Sequence, residues 1–460
     1  MERVSTGNPE LDLILSGGFP RNSINIVMGV PGSGKTILVE QLAFANAGPD
    51  CRALYLTTLS EPLPKLVSYL QNYEFVDINR IGTDIIYHSL GEHSLRDGLS
   101  NEPQRLIDEI FQLITKHRPR IIIIDSFKAI ADLLPDAQAW RRLSFDLAGV
   151  LGAYGTTSFW VGEYTWETGA GPTEFAIADG IIELERIQRG SRDERYLRVA
   201  KLRGSDFLDG NHAFRIAADG LHVFPRFVTP SASPDYQPIR ERLQTGIAGL
   251  DAMVQEGWLR GTTTLIQGPS GAGKSMIALH FLRQGAMDGE PTLLVNFQEN
   301  PAQLRRTMDS LGWDSDHLLR PENIDHLYIS PVELQIDTIV QEMFRRISER
   351  GIKRLVVDAI GDLRKSAYDP SRFDDYIYAL IQHCAATNVA AMFTFETPRG
   401  YLDHPLVMTD VSYMSDNIVS LTMELGDDLH RGIRILKTRG SAHDGRRRTL
   451  RIGSQGVTVE

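Results

Sequence analysis

The sequence predicts an α/β fold repeated twice in tandem, each copy a mostly parallel sheet with a C-terminal hairpin extension. Three observations carry this expectation. "TGNPELDLILSGGFPRNSINIVMGVPGSGKT", from Thr6, is echoed by "TGIAGLDAMVQEGWLRGTTTLIQGPSGAGKS", from Thr245, and self-similarity of this kind marks a duplicated unit. Later echoes keep nearly the same spacing: Lys35 and Lys274 lie 239 residues apart, Asp125 and Asp358 233, Lys201 and Lys437 236. Within each half, short apolar runs alternate with helical ones, the pattern of parallel sheets covered by helices.

In the first half "SINIVMG" reads as a short apolar strand with a Gly-rich end, and "KTILVEQLAFANA" as a helix. "RALYLTT" is the next strand, and "EPQRLIDEIFQLITKH" is an amphipathic helix. "RIIIID" is apolar throughout, as a strand buried on both faces must be. "DGIIELERIQRG" and "RYLRVAKLRG" are strands divided by turn residues, hence the hairpin extension. "VTPSASPDYQP", Val228 to Pro238, is rich in Pro and Ser and reads as a linker. The expected domains are therefore residues 1–237 and 238–460.

Composition narrows the function. The 460 residues are 42% hydrophobic and 23% charged, ordinary for a soluble globular protein. A net charge of −11 argues against nucleic acid as the main ligand. The basic run Arg446-Arg447-Arg448 reads as a solvated loop. Two distant cysteines, Cys51 and Cys384, give no disulfide framework. No apolar run approaches the ~18 residues of a membrane span, and the N-terminus has no signal core. The expected compartment is the cytoplasm, away from membranes.

"GVPGSGKT" and "GPSGAGKS" both satisfy G-x-x-x-x-G-K-[ST], and both follow a strand and open a helix. Glycines let backbone amides converge on phosphate, and the helix N-terminus adds partial positive charge. The expected ATP-binding residues are Gly29, Gly32, Ser33, Gly34, Lys35 and Thr36, and Gly268, Gly271, Ala272, Gly273, Lys274 and Ser275. The lysines would reach the β/γ-phosphates, and the Thr36 and Ser275 hydroxyls would bind Mg²⁺. Asp125 and Asp358 end apolar strands where a Walker B aspartate belongs. No NKxD guanine signature is present, which favours ATP. A catalytic glutamate should follow the strand after the cradle helix. Glu299 lies 25 residues after Lys274 and Glu61 lies 26 after Lys35. That one-residue displacement could aim Glu61 away from the γ-phosphate.

Over its whole length the chain resembles the KaiC family, circadian clock ATPases and autokinases of the RecA-like superfamily. The tandem cradles carry the resemblance, with "TEFAIADGIIELER…KLRGS" and "TDVSYMSDNIVSLTMEL…KTRGSAHDG". It implies two RecA-like P-loop domains, the second an autokinase, in a double-ring homohexamer with ATP at subunit interfaces. Lys201 and Arg203 match the motif that contacts a neighbour's nucleotide, as do Lys437 and Arg439. Family members carry two adjacent glutamates after the second strand of each domain. Here Leu59-Ser60 and Gln298-Glu299 take those places, which puts first-ring hydrolysis in question. The family's Ser-Thr phosphorylation pair falls on Ser412 and Tyr413, with Ser415 as a nearby hydroxyl. The chain ends 16 residues after "KTRGSAHD", so a KaiA-binding tail is not expected. A KaiB-like or signalling-kinase partner is implied. The leading expectation is an ATP-hydrolysing, self-phosphorylating and self-dephosphorylating switch. A nucleotide-gated scaffold with weak catalysis is the alternative, and a RecA-like DNA motor is disfavoured by the acidic balance.

Overall fold

The computed structural model describes residues 2–58, 63–90, 104–131, 134, 136–164, 166, 173–189, 192–227, 240–330, 335–366, 370–397, 411–425 and 429–460. Glu61, Leu59-Ser60 and the linker reading at Val228–Pro238 lie outside these residues. The chain divides into two compact units, Met1–Arg226 and Phe227–Glu460.

The first unit is built on a nine-stranded sheet. Its strands are β1 (Ile24–Gly29), β2 (Ala53–Thr57), β3 (Ile85–Ser89), β4 (Ile121–Asp125), β5 (Thr157–Gly162), β6 (Gly180–Arg189), β7 (Arg192–Leu202), β8 (Asn211–Ala217) and β9 (Gly220–Phe224). Their order is β9-β8-β7-β6-β1-β5-β4-β2-β3. The six strands from β6 to β3 run parallel; β7 to β9 return antiparallel. The expected α/β class and hairpin extension are both present. Helix α1 (Lys35–Asn46) follows β1, and α2 (Gln104–His117) and α3 (Ala137–Ala153) cover the sheet.

Side-chain alternation explains the two layers. Val27, Tyr55, Ile123 and Val161 join one core with Leu38 and Leu42 of α1. Ile26, Leu54, Ile124 and Trp160 face the other way, onto Ile107 and Ile110 of α2 and Leu143 and Leu147 of α3. Strands buried on both faces must be apolar throughout, which is why "IIIID" reads as it does.

The second unit repeats the plan with β10 (Thr263–Gly268), β11 (Thr292–Asn296), β12 (Ile324–Tyr328), β13 (Arg354–Asp358), β14 (Ala390–Glu396), β15 (Asn417–Leu425), β16 (Leu429–Thr438), β17 (Arg448–Gly453) and β18 (Gly456–Val459). The order is β12-β11-β13-β14-β10-β15-β16-β17-β18, with the same parallel and antiparallel division. Helix α4 (Lys274–Met287) follows β10; α5 (Ile336–Arg350) and α6 (Pro370–Ala386) pack on the other face. Among the described residues no helix is long and apolar enough to cross a membrane.

One topological fact positions the chemistry. β1 and β6 are parallel, so their C-terminal ends share an edge with the cradle. β7 runs back, so Lys201 and Arg203 at its end fall at the opposite edge, where Lys201 pairs with Ile181. Lys437 pairs with Ile418 in the same way. Both hairpins carry a register shift at this point, between Ile181 and Ile182 and between Ile418 and Val419, a local kink that re-aims side chains.

Candidate nucleotide sites at the two phosphate cradles

Each cradle turns from its strand into its helix through glycines in left-handed conformations: Gly32 and Gly34 (φ 70° and 105°), Gly271 and Gly273 (φ 81° and 105°). A side chain would be strained there. At Gly34 it would also meet Ile216, 2.9 Å away. Lys35 Nζ donates to the carbonyls of Gly29 and Val30 at 2.9 and 3.0 Å. Lys274 Nζ does the same to Gly268 and Pro269, both at 2.9 Å. Burial lowers both lysine pKa values, opposed by nearby carboxylates. A polyphosphate chain would replace those carbonyls and favour the charged form. Ser33 Oγ is buried in the first cradle with no hydrogen-bond partner among the described residues.

Asp125 and Asp358, expected as Walker B aspartates, each lie beside a cradle. In the first unit Thr36 Oγ1 donates to Asp125 Oδ2 at 2.8 Å. Burial raises the Asp125 pKa, while the hydrogen bonds from Thr36 and Tyr55 pull it down. In the second unit Asp358, Ser275, Lys274 and Glu299 line a cavity of about 280 Å³. Asp358 accepts a hydrogen bond from Thr394. Glu299 is raised above its ordinary pKa by burial and by the Asp358 charge, a setting that suits a proton acceptor facing a polyphosphate. Beside it, Gln298 Nε2 donates to Asp362 Oδ2 at 3.0 Å. Gln298 and Glu299, adjacent in sequence, therefore have different surroundings here.

Sequence reasoning missed two carboxylates. Glu396 ends β14, level with Gly268 at the start of the cradle, and lines the same cavity. Glu163 follows β5 in the first unit. Their negative charges are the strongest that favour ionised Lys274 and Lys35 respectively. The available signal was a Glu directly after an apolar strand, in "WVGE" and "FTFE". Two cationic neighbours were also missed. Arg431 Nε donates to the Gly271 carbonyl at 3.0 Å, and an Arg186 guanidinium nitrogen lies 3.3 Å from where a Gly32 Cβ would be.

A KaiC ATPase family model matches residues 4–227 and again 243–460. The chain belongs to the KaiC ATPase family. It is similar to the circadian clock oscillator protein KaiC of Rippkaea orientalis, 26% identical over 472 aligned positions that cover 100% of this chain and 89% of the relative. The KaiC of a Picosynechococcus species is 25% identical, covering 100% and 90%. The circadian clock protein KaiC3 of a Synechocystis species is 26% identical, covering 100% and 92%.

The remaining expected positions lie at the other edge of each sheet. Lys201 Nζ donates to the Phe175 carbonyl at 2.9 Å, and Arg203 pairs with Asp179 at 3.5 Å. Lys437 Nζ donates to the carbonyls of Ser415 and Ser412 at 2.6 and 3.3 Å, and Arg439 pairs with Asp416 at 3.7 Å. Partial burial lowers both lysine pKa values. Ser412 is 3% exposed and Ser415 is fully buried, its Oγ donating to the Val411 carbonyl at 3.0 Å. Tyr413, between them, is 58% exposed. A six-residue β10 spans roughly 17 Å at ~3.3 Å per residue, so Ser412 is remote from the cradle of its own unit.

Proposed function

We propose that this KaiC-family chain binds Mg-ATP in both cradles and hydrolyses it as a subunit of a homohexameric double ring. Thr36 with Asp125, and Ser275 with Asp358, would hold Mg²⁺, which neutralises charge on the transferring phosphate. Glu299 is the candidate base of the second cradle. Lys201 and Arg203, and Lys437 and Arg439, would reach nucleotide held by a neighbouring copy. One observation carries the reading: in each unit the cradle and the Lys-x-Arg pair stand at opposite ends of one sheet. A unit built this way does not complete its own site, which supports a neighbouring copy in head-to-tail contact supplying the missing pair. The relatives' names, circadian clock oscillator proteins, support a timing or signalling switch as output.

Subunit mixing tests it. In a Lys35→Ala background, Lys274→Ala chains lack a working second cradle and Arg439→Ala chains lack the donated cation. Each should be inactive alone. Random mixing should restore about one quarter of turnover, the share of interfaces that pair an intact cradle with an intact cation. Mixtures as inactive as either parent would refute donation between copies.

The autokinase and autophosphatase reading places the phosphoryl group on Ser412. The acceptor would face a neighbour's nucleotide once the turn at residues 411–414 opens. Labelling from radioactive ATP in Ser412→Ala and Tyr413→Phe chains tests it. Label retained by Ser412→Ala and lost in Tyr413→Phe would move the acceptor to the exposed phenol. A nucleotide-gated scaffold with weak catalysis is the second reading, favoured by Leu59-Ser60 and Gln298 at the family's glutamate positions.

A further inference from the structure

The first unit contains a buried polar circuit. Tyr55, in the middle of β2, is fully buried, and its hydroxyl donates to Asp125 Oδ2 at 2.9 Å. That same oxygen accepts the Thr36 hydroxyl. The Tyr55 ring lies against Tyr87 of β3, with centroids 5.2 Å apart and planes at 33°. The Tyr87 hydroxyl donates to Glu40 Oε2 at 2.7 Å. Glu40 is fully buried on α1, four residues after Thr36 and so on the same helix face. The circuit leaves α1 at Thr36 and returns to it at Glu40.

By strand register and helix position the second unit has none of these three groups. Leu294 replaces Tyr55, His326 replaces Tyr87 and Leu279 replaces Glu40. His326 instead donates to Asn296 Oδ1 at 2.9 Å. Yet Asp358 still has a hydroxyl donor, Thr394, from the strand on its other side. Thr394 corresponds to Val161 in the first unit, which has no donor. The two units have therefore exchanged partners, Tyr55 with Val161 against Leu294 with Thr394. A buried phenol is tolerated only with a partner, and the exchange suggests that what is kept is one flanking hydroxyl on the aspartate.

We propose that Tyr55 is a positioning residue for Asp125, fixing the carboxylate for metal-nucleotide in the first cradle while Tyr87 and Glu40 brace its ring from behind. Thr394 has the same task at Asp358. The proposal rests on the nucleotide reading of the cradles. Asp125 Oδ2 holds Thr36 and Tyr55 together, so loss of the phenol lets the carboxylate turn. The cost should appear in the metal-dependent part of binding.

The test uses the full chain with Lys274→Ala, so that only the first cradle reports. Binding of a fluorescent ATP analogue is followed as Mg²⁺ is titrated, and again in a chelator. Tyr55→Phe keeps the ring and packing. It should raise the Mg²⁺ concentration for half-maximal binding about tenfold, the scale of one hydrogen bond to a charged group, and leave metal-free binding unchanged. Adding Val161→Thr, the second unit's own solution, should bring the value back to within about threefold. A purely packing role for Tyr55 predicts no such rescue. In a Lys35→Ala chain, Thr394→Val should produce the matching loss at the second cradle. An unchanged Mg²⁺ dependence in Tyr55→Phe would overturn the positioning role while Lys35→Ala still abolishes binding at that cradle. Undiminished binding after Lys35→Ala would overturn the nucleotide reading itself.

Discussion

The two units present the same strand order, the same glycine turns and the same lysine, yet they support the aspartate from opposite flanks. In the first unit the donor is Tyr55 on β2, with Glu40 and Tyr87 behind it. In the second it is Thr394 on β14, with Leu294 and Leu279 at the positions of Tyr55 and Glu40 and His326 at that of Tyr87. The far ends of the sheets differ as well. At the base of the first unit, Cys51, Ile121, Arg21 and Arg120 surround a cavity of about 270 Å³. At the base of the second, Arg354 is buried and donates to Glu290 at 2.6 Å, Asp288 at 2.9 Å and the Gln244 carbonyl at 2.7 Å. The backbone frame constrains what each position must supply, a donor or a filled volume, and leaves open which residue supplies it.

The largest expected effect separates the two cradles. Lys35→Ala and Lys274→Ala should each remove one nucleotide per chain, with affinity at the altered cradle falling at least 10²-fold. Two charge-assisted bonds worth roughly 1.5–3 kcal/mol each are lost, and about 1.4 kcal/mol is tenfold. Binding stoichiometry by calorimetry checks this. If one variant removes both nucleotides, the cradles are not independent and the comparison fails. Turnover sharpens it: Glu299→Gln should slow the second cradle about 10²-fold or more if its carboxylate moves the proton, with binding retained.

Next in size is the base of the second unit. Replacing Arg354 with Ala removes a buried guanidinium and one of the two cationic partners of Glu290, leaving Arg260, and opens space beside Phe281. Breaking a buried ion pair by removing one partner costs roughly 3–5 kcal/mol. Denaturant unfolding should show that loss, and Ile121→Ala, its first-unit counterpart by register, should show the lesser cost of an apolar cavity. Equal losses would mean that the cluster adds nothing beyond volume.

Much of this was legible in the sequence. The duplicated motifs, the apolar strands and both cradles announce themselves because their chemistry is local: glycines, a lysine and a hydroxyl within eight residues. Asp125 and Asp358 were readable because a strand buried on both faces rarely ends in a carboxylate by accident. The circuit was not readable. Glu40, Tyr55 and Tyr87 come from three separated segments, and only the register of β2 between β3 and β4 brings them together. In "ALYLT" the tyrosine reads as one more apolar strand residue. The Lys-x-Arg motif could be recognised, but its place at the sheet edge opposite the cradle follows from strand direction, which no motif encodes. The same holds for Ser412, which is buried and whose carbonyl accepts from Lys437 at 3.3 Å.

The smallest effect, and the one that bears most directly on the difference between the units, concerns Glu40. Burial pushes its carboxyl up to about 8 from 4.5, with the Tyr87 hydrogen bond opposing and the Asp125 charge adding. The native chain therefore holds a proton on Glu40 at pH values where the unfolded chain has released it. Stability linked to this group is complete below pH 4.5, falls as pH rises toward 8, and has no further slope above that. Glu40→Gln keeps an acceptor for Tyr87 and removes the titration. Unfolding free energies of the two proteins, measured from pH 5 to 9, should converge or cross as pH falls, with a difference slope of up to about 1.4 kcal/mol per pH unit. A flat difference across that range would mean that native Glu40 is ionised at neutral pH. The Tyr87–Glu40 pair would then be a charged hydrogen bond, a sharper contrast with Leu279 than a neutral one. A slope confined between 4.5 and 8 would show that the first unit carries a neutral, proton-holding brace behind Asp125, where the second unit has Leu279 in place of Glu40.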